Sequence, residues 1–162
     1  EFGFGTGLNA LMTLINSKEK QIEYVGVEKF PLDIPLLNQL NYAKSEEEVV
    51  LFEKIYSADW NKKAVIINSF SLEKIKSDFS KFQSDEKFDI IYFDAFAPRV
   101  QPELWTKEVF EKAFKLLDKE GILVTYCAKG VVKRTLKEVG FEVISLPGPP
   151  GKREMTKAVK NV

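Results

Sequence analysis

Apolar residues along this chain fall into two kinds of stretch that alternate. Short runs rich in β-branched and aromatic residues predict strands at 22–28, 64–68, 88–94, 122–127 and 142–146. Between them, apolar residues recur at helical spacing and predict helices at 8–17, 31–42, 72–82, 107–117 and 131–139. A further helix is predicted at 45–58, as an insertion over the functional site, and a last short strand, antiparallel to its neighbours, at 154–159.

The order of these elements predicts the fold class. Strands that alternate with helices are typical of an α/β fold with a mostly parallel sheet and helices on both faces. The run 88–93 is apolar apart from Asp89, as expected for a strand that is covered on both faces. Thr106 is a predicted helix N-cap, and Gly121 and Gly140 are predicted to follow helix ends. The length of 162 residues suits one domain, 1–162.

The chain begins at Glu1, directly on what reads as the turn after a first strand. In the predicted fold that strand lies at the centre of the sheet. We therefore expect that the first strand is missing from this sequence and that the domain is N-terminally incomplete.

The composition excludes several kinds of chemistry. The chain has no histidine, which removes Ser-His and Cys-His nucleophilic catalysis and most zinc sites. Its single cysteine, Cys127, cannot form an intrachain disulfide and fits a reducing cytoplasm. We interpret it as a packing residue, since the sequence shows no basic partner for it. No apolar run approaches the roughly 18–20 residues that cross a bilayer. A cytoplasmic protein without a metal is expected.

The formal net charge is zero, but the charge is unevenly distributed. Residues 121–162 hold eight Lys/Arg and three Asp/Glu, a net charge of +5, and the rest of the chain carries −5. A basic C-terminal third could bind a polyanion. The alternative is a solvated face, and charge alone does not decide between the two.

The first nine residues contain a glycine-rich motif. Gly3, Gly5 and Gly7 alternate just before a predicted helix. Without β-carbons the backbone can pass close to a ligand, and the helix N-terminus presents N–H groups to a polar or anionic moiety. A dinucleotide fingerprint needs its third glycine at position 8, which is Leu8. Together with Glu1, the spacing instead matches the E/D-x-G-x-G-x-G pattern of methyltransferases, in which the loop holds the methionine part of the cofactor. A tight turn without a ligand is the alternative.

Polar residues at the ends of the next two predicted strands are candidates for the rest of a cofactor site. Glu28 ends its strand 21 residues after Gly7. An acidic residue at about this distance can accept hydrogen bonds from both ribose hydroxyls, although a surface glutamate is the alternative. Asn68 and Ser69, at the end of the following strand, are predicted to contact the adenine amino group.

Asp94 and Phe96 are the candidate catalytic residues. They follow the strand 88–94, and ligands of open parallel sheets bind beyond the carboxyl ends of the strands. A carboxylate there can hydrogen-bond the target amine or the cofactor amino group, or take a proton, and the sequence leaves these roles open. The segment up to Pro98 is similar to the acidic-x-x-Pro signature of amine-directed nucleic-acid methyltransferases, with Phe96 available to stack on a base. The alternative is that Asp94 only caps a turn.

Four further blocks carry a more specific resemblance. They are 94–98 (DAFAP), 101–106 (QPELWT), 125–130 (TYCAKG) and 148–155 (GPPGKREM). In this order, and together with 1–9, they resemble the methyltransferase domain of the tRNA 5-methylaminomethyl-2-thiouridine biosynthesis enzymes (MnmC type). The resemblance covers the chain from end to end and implies a standalone, Rossmann-like class I methyltransferase.

The same resemblance implies an activity. Members N-methylate the 5-aminomethyl group of a modified wobble uridine in tRNA, with S-adenosylmethionine as the cofactor. Many members carry a flavin-dependent oxidase domain, so that a separate oxidase acting upstream is an expected partner beside tRNA. A methyltransferase for a small molecule or a protein, and an inactive cofactor-binding scaffold, remain as alternatives.

The Pro/Gly-rich segment 147–152 follows a predicted parallel strand and is expected at the same edge as Asp94. Trp105 and Tyr126 could stack on bases there, although each residue is more often part of a core. The basic side chains near this edge are predicted to contact tRNA phosphates; they are Lys129, Lys133, Arg134, Lys152 and Arg153.

Overall fold

A computed structural model describes residues 1–18, 20–37, 39–148 and 150–162. These residues form two compact units. The N-terminal unit comprises residues 1 and 3–79, and the C-terminal unit comprises residues 2 and 80–162. Within the described ranges, no helix is long and apolar enough to cross a membrane.

The N-terminal unit contains three helices and three strands among its described residues. In chain order they are α1 (Leu8–Asn16), β1 (Ile22–Glu28), α2 (Ile34–Leu37), α3 (Glu46–Ser57), β2 (Lys63–Ile67) and β3 (Phe70–Lys76). Ser45 caps α3 by accepting a hydrogen bond from the Glu48 nitrogen at 3.2 Å, and the Glu48 carboxylate accepts one from the Lys44 nitrogen at 2.7 Å. The helix predicted at 45–58 is therefore confirmed. The helix predicted at 31–42 is observed only as the short α2. Asn38, within the predicted range, lies outside the described residues.

The sheet of the N-terminal unit has the order β1-β3-β2. β1 pairs in parallel with β3, from Ile22 beside Phe70 to Glu28 beside Lys76, and β2 pairs antiparallel with β3. The helix predicted at 72–82 is wrong, because most of that segment is strand β3 and a single 3-10 turn at Phe79–Lys81. β2 and β3 form a hairpin.

The C-terminal unit has four strands and two α-helices in the part of the chain that the structure describes. They are β4 (Phe88–Tyr92), α4 (Lys107–Leu116), β5 (Leu117–Thr125), α5 (Gly130–Val139), β6 (Glu142–Pro147) and β7 (Glu154–Val159), with a 3-10 turn at Pro102–Leu104. Gly140 ends α5 with a φ of 114°, as predicted, whereas Gly121 lies inside β5 rather than after a helix.

The sheet of the C-terminal unit has the order β4-β5-β7-β6. β4 and β5 are parallel, and β7 runs antiparallel to both β5 and β6, as predicted for the last strand. β4, β5 and β6 therefore end at the same edge, which we call the loop edge. Phe2 extends this sheet beside Phe93, donating from its nitrogen to Tyr92 O at 2.9 Å.

Aromatic side chains fill the core of the C-terminal unit beneath the loop edge. The Phe93 ring centroid lies 5.1 Å from that of Trp105 and 5.4 Å from that of Phe110. Trp105 is 8% exposed, and Phe110 is completely buried on the apolar face of α4. Aromatic packing of this kind fixes the segment that follows β4 to the core.

Candidate active site

The glycine loop of the N-terminal unit has the backbone conformation that its sequence predicts. Gly3, Gly5 and Gly7 have φ values of 83°, 52° and 80°, in the left-handed region that side chains with a β-carbon rarely adopt. Gly7 is the N-cap of α1, so that the loop leads directly into the helix N-terminus. The loop thus leads to the first turn of α1, at the positive end of the helix dipole.

Glu28 contacts this loop directly. Its Oε2 accepts a hydrogen bond from the Gly5 nitrogen at 3.0 Å, and its Oε1 accepts one from the Phe30 nitrogen at 2.9 Å. Each carboxylate oxygen has a second lone pair, so that both can still accept a hydrogen bond from a ligand. The structure therefore brings the glycine loop and the predicted ribose-binding residue together, with the carboxylate held in one orientation.

Glu1 supports the loop from within the protein. Its carboxylate accepts hydrogen bonds from Asn9 Nδ2 at 2.7 Å and from the Tyr24 hydroxyl at 2.8 Å. The Val27 nitrogen donates to Glu1 O at 2.9 Å, which aligns the start of the loop with β1. Glu1 thus ties the loop to α1 and β1.

The space beside Gly5 fits a bound cofactor. A β-carbon built on Gly5 would meet no atom closer than Gly3 O at 4.0 Å, so that the inner side of the loop is open. A vicinal diol matches the two oxygens of Glu28, and a polar amino-acid moiety matches N–H groups at a helix N-terminus. These residues could therefore hold the ribose and methionine parts of S-adenosylmethionine.

The structure does not bring Asn68 and Ser69 together with the glycine loop and Glu28. The Ile22 nitrogen donates to Ser69 O at 2.8 Å, so that Ser69 lies at the amino end of β1, whereas Glu28 ends that strand. At about 3.3 Å per residue, a strand of seven residues separates these ends by roughly 20 Å. The prediction assumed that β2 runs parallel to β1, but the β2–β3 hairpin reverses it.

The segment after β3 lies where Asn68 and Ser69 were expected. The Ser77 nitrogen donates to Glu28 O at 3.0 Å, and Lys29 forms an ion pair with Asp78 at 2.7 Å. The sequence does not point to these residues, because its spacing predicts a helix at 72–82. A polar Ser-Asp pair just after Ile75-Lys76, the end of β3, is the signal that could have found them.

In the C-terminal unit, Asp94 and Phe96 lie at the loop edge on a backbone that is held in place. The Trp105 indole nitrogen donates to Phe96 O at 2.8 Å, and the Tyr126 hydroxyl donates to Ala95 O at 2.8 Å. Asp94 is exposed, and Phe96 is 69% exposed. A rigid loop thus presents a carboxylate and an aromatic ring to solvent.

Lys152 joins the Pro/Gly-rich segment to the same loop. Its Nζ lies 4.0 Å from the centroid of the Tyr126 ring, a short cation–π contact. Burial raises the pKa of Tyr126, and electrostatic interaction with neighbouring groups, Asp94 among them, raises it further, so that the hydroxyl stays protonated and can donate to Ala95. Trp105 is a core residue and Tyr126 carries Lys152 on its ring, so neither is placed to stack on a base.

The predicted phosphate-binding residues differ in their surroundings. Lys129, Arg134, Lys152 and Arg153 are exposed. Lys133 instead donates to Ser145 Oγ at 2.8 Å and to the Glu154 carboxylate at 3.1 Å. The hydrogen bond from Lys133 is the main reason why the pKa of Glu154 is lowered. The structure therefore does not support a phosphate contact for Lys133. Pro149, in the same segment, lies outside the described residues.

Comparison with known proteins agrees with this geometry. Residues 52–161 match a family model described as S-adenosyl-L-methionine-dependent methyltransferase. The bifunctional protein MnmC of Pseudoalteromonas atlantica, named for tRNA 5-methylaminomethyl-2-thiouridine biosynthesis, is 29% identical over 98% of this chain, and its counterpart in Leptospira interrogans is 32% identical over 96%. The chain spans about a quarter of the length of these relatives, 25% and 26%.

Among solved structures, MnmC2 from Aquifex aeolicus is similar to this chain with a TM-score of 0.74 and 26% identity. The similarity covers 99% of this chain and 52% of that one. The fold is thus that of Rossmann-like methyltransferases, as the family resemblance implied, and S-adenosylmethionine is the cofactor that goes with it. This chain belongs to the family of S-adenosyl-L-methionine-dependent methyltransferases.

Proposed function

We propose that this protein methylates the 5-aminomethyl group on the modified wobble uridine of a tRNA. The product would be 5-methylaminomethyl-2-thiouridine, made from 5-aminomethyl-2-thiouridine. The observation that carries the proposal is the loop edge of the C-terminal unit. There Asp94 supplies a carboxylate, Phe96 an exposed aromatic ring and Lys152 a cation. The names of the relatives from Pseudoalteromonas atlantica and Leptospira interrogans support the same reaction.

The N-terminal unit would hold the cofactor. Gly3, Gly5 and Gly7 surround the methionine part, and Glu28 accepts hydrogen bonds from the ribose. Asp78 takes the adenine contact that the sequence had assigned to Asn68 and Ser69. When bound, S-adenosylmethionine would supply a methyl group on a positively charged sulfur. Transfer to a neutral amine would form the C–N bond as the C–S bond breaks, and a neutral thioether would leave.

The C-terminal unit would receive the nucleotide. Asp94 accepts a hydrogen bond from the target amine and orients its lone pair, and it can take the proton that an ammonium substrate must lose. Phe96 stacks on the base. Most of the rate enhancement comes from alignment, because a held amine and methyl group react without the entropy loss of a free encounter.

The tRNA backbone would lie along the basic residues of the loop edge. Phosphate contacts fix position and contribute affinity without reading sequence. The residues we assign to them are Lys129, Arg134, Lys152 and Arg153. A separate flavin-dependent oxidase acting upstream would supply the aminomethyl substrate.

The test is a methylation assay with labelled S-adenosylmethionine and two tRNA preparations. One carries 5-aminomethyl-2-thiouridine at the wobble position, and the other is the same tRNA with an unmodified uridine. We expect one added methyl group, found by mass spectrometry of the digested nucleosides, in the first tRNA alone. The same assay with D94N shows whether the methylation depends on the proposed site.

Three other outcomes have distinct meanings. Cofactor binding without methylation of either tRNA would exclude tRNA as the substrate and favour a small molecule or a protein. Equal methylation of both tRNAs would remove the aminomethyl group as the target. A failure to bind S-adenosylmethionine in calorimetry would favour the inactive scaffold.

A further inference from the structure

A lysine lies in the interior of the N-terminal unit, behind the glycine loop. Lys74 is the fifth residue of β3, follows the buried Phe70 and Leu72 on the same face of the strand, and is only 1% exposed. The alternation of this strand calls for an apolar side chain at its position. An ionisable group there is costly to bury, so its surroundings must stabilise it.

Three groups stabilise the ammonium of Lys74. Its Nζ donates to Tyr56 O at 2.7 Å, in the last turn of α3, where the helix dipole favours a cation. The same nitrogen lies 4.9 Å from the centroid of the Trp60 ring and 6.0 Å from that of Phe4. Both distances are within the range of a cation–π attraction, which is strengthened when the cation is desolvated.

Phe4 connects this buried cation to the glycine loop. The residue stands between Gly3 and Gly5, and its ring fills the space above Gly26, where a β-carbon would be 2.2 Å from Cδ2 of Phe4. Its Cζ would be 3.2 Å from a β-carbon on Gly7. The ring is therefore the anchor of the loop, and the loop residue that follows it is the one whose nitrogen donates to the Glu28 carboxylate.

We propose that Lys74 is a positioning residue for cofactor binding. Its ammonium holds the Phe4 and Trp60 rings, and through Phe4 it fixes the glycine loop in the conformation that receives S-adenosylmethionine. The chain of contacts runs from Lys74 to Phe4, then along the backbone to Gly5, and from Gly5 to Glu28. The lysine itself does not touch the cofactor.

The proposal makes cofactor affinity depend on the charge of Lys74. Burial lowers the pKa of this ammonium to about 8. The negative charge of Asp59, which forms an ion pair with Lys62, raises the pKa of Lys74 and so opposes the effect of burial. Among the described residues, the other groups that a hydrogen bond, a ring contact or strand pairing places against it are the Tyr56 carbonyl, the Phe4 and Trp60 rings and Gly26, none of which titrates. Above that pH the cation–π attraction is lost, while the volume of the side chain stays the same.

The experiment compares cofactor binding by the parent, K74M and K63M in calorimetry at two pH values, about 7 and about 9.5. K74M keeps an unbranched side chain of similar volume, one heavy atom shorter, but removes the ammonium. K63M removes a surface lysine from the neighbouring strand of the same sheet, where Lys63 pairs with Glu23 at 2.9 Å, and is the matched control. Circular dichroism shows whether each variant is folded at the temperature of measurement.

At the lower pH we expect K74M to bind S-adenosylmethionine about three- to thirty-fold more weakly than the parent. At the higher pH this ratio should fall towards one, because the parent has lost its charge as well. The ratio between variants matters, since the cofactor's own amino group titrates in the same range. K63M should bind as the parent does at both pH values.

Two results would overturn the proposal. One is equal affinity of K74M and the parent at the lower pH, and the other is a loss that is the same at both pH values, which a merely structural role would produce. If K74M does not fold, W60L removes the nearest ring and keeps the lysine. Its affinity relative to the parent should depend on pH in the same direction, and a loss independent of pH would overturn the proposal equally.

Discussion

The carboxylate of Glu28 and the backbone nitrogen of Gly5 are joined by a hydrogen bond of 3.0 Å. The side chain proposed to bind the ribose thus also holds the loop proposed to bind the methionine part. We expect E28A to weaken S-adenosylmethionine binding by about 1–3 kcal/mol, the cost of an unmade hydrogen bond to a charged group. Calorimetry measures it, with E23A on the same strand as the control. Unchanged affinity in E28A would remove Glu28 from the site.

The open space beside Gly5 leads to a second prediction. In G5A the new methyl group enters the cofactor space, and the positive φ of 52° adds strain of about 1–2 kcal/mol. G151A carries the same kind of strain at a φ of 85°, with no atom within 4 Å of the β-carbon, and is the matched control. Both variants should lose similar stability in thermal melts, but G5A alone should lose cofactor affinity.

The third prediction concerns Asp94. D94N keeps the shape of the side chain but removes its charge and its ability to take a proton. We expect turnover on an aminomethyl-bearing tRNA to fall and its pH profile to change, while cofactor affinity stays close to that of the parent. D89N, on the exposed part of β4, should behave as the parent does. Full activity of D94N across the pH range would exclude a required carboxylate.

The basic loop edge is tested by the salt dependence of tRNA binding. Each lost phosphate contact should lower the slope of log K against log salt by about 0.7–0.9. We therefore expect the double variant K152A/R153A to bind tRNA more weakly and with a flatter salt dependence. K87A/K119A removes the same charge at the opposite edge of this sheet, where Phe88 pairs with Leu117. An equal effect of both double variants would show that this edge is not the tRNA surface and would favour the interpretation of the basic third of the chain as a solvated face.

The fifth prediction is a pH dependence of stability. Unfolded Lys74 keeps its proton up to a pKa of about 10.4, whereas the folded form loses it at about 8. Between these values the unfolded state binds more protons, so the free energy of unfolding rises with pH. Relative to K74M, which lacks the group, the parent should gain up to about 3 kcal/mol over this interval. Urea unfolding at several pH values measures it; parallel curves for the two proteins would contradict it.

The elements predicted correctly are those with strong local signals. β1 and β7 have the predicted bounds, and α1, α4 and α5 are within one residue of them at each end. The helix predicted at 72–82 was wrong because Leu72, Ile75, Phe79 and Phe82 stand at helical spacing, although pairing with β1 makes residues 72–76 part of a strand. The inward positions of β3 are Phe70, Leu72 and Lys74, and the lysine breaks the apolar alternation that would have predicted a strand.

The same error explains what was missed in the site. The sequence could place Gly5, Glu28 and Asp94 at the ends of their strands, because each belongs to a motif whose spacing is set by a single strand and its loop. Their roles in the site stay predictions. The choice between Asn68 and Asp78 depends on whether β2 or β3 runs parallel to β1. That pairing is non-local, and no short motif records it. Lys133 was expected at a phosphate, and only the folded chain shows Glu154 beside it.

The packing of Phe4 over Gly26 constrains how this protein can change. A methyl group at position 26 and an aromatic ring at position 4 need the same volume, so each residue limits what the other can be. A change from glycine to alanine at 26 is accessible only after the ring at 4 has been replaced by something smaller, and the reverse order passes through a misfitted loop. Mutations at these two positions are therefore tolerated in one order only, with position 4 changing before position 26.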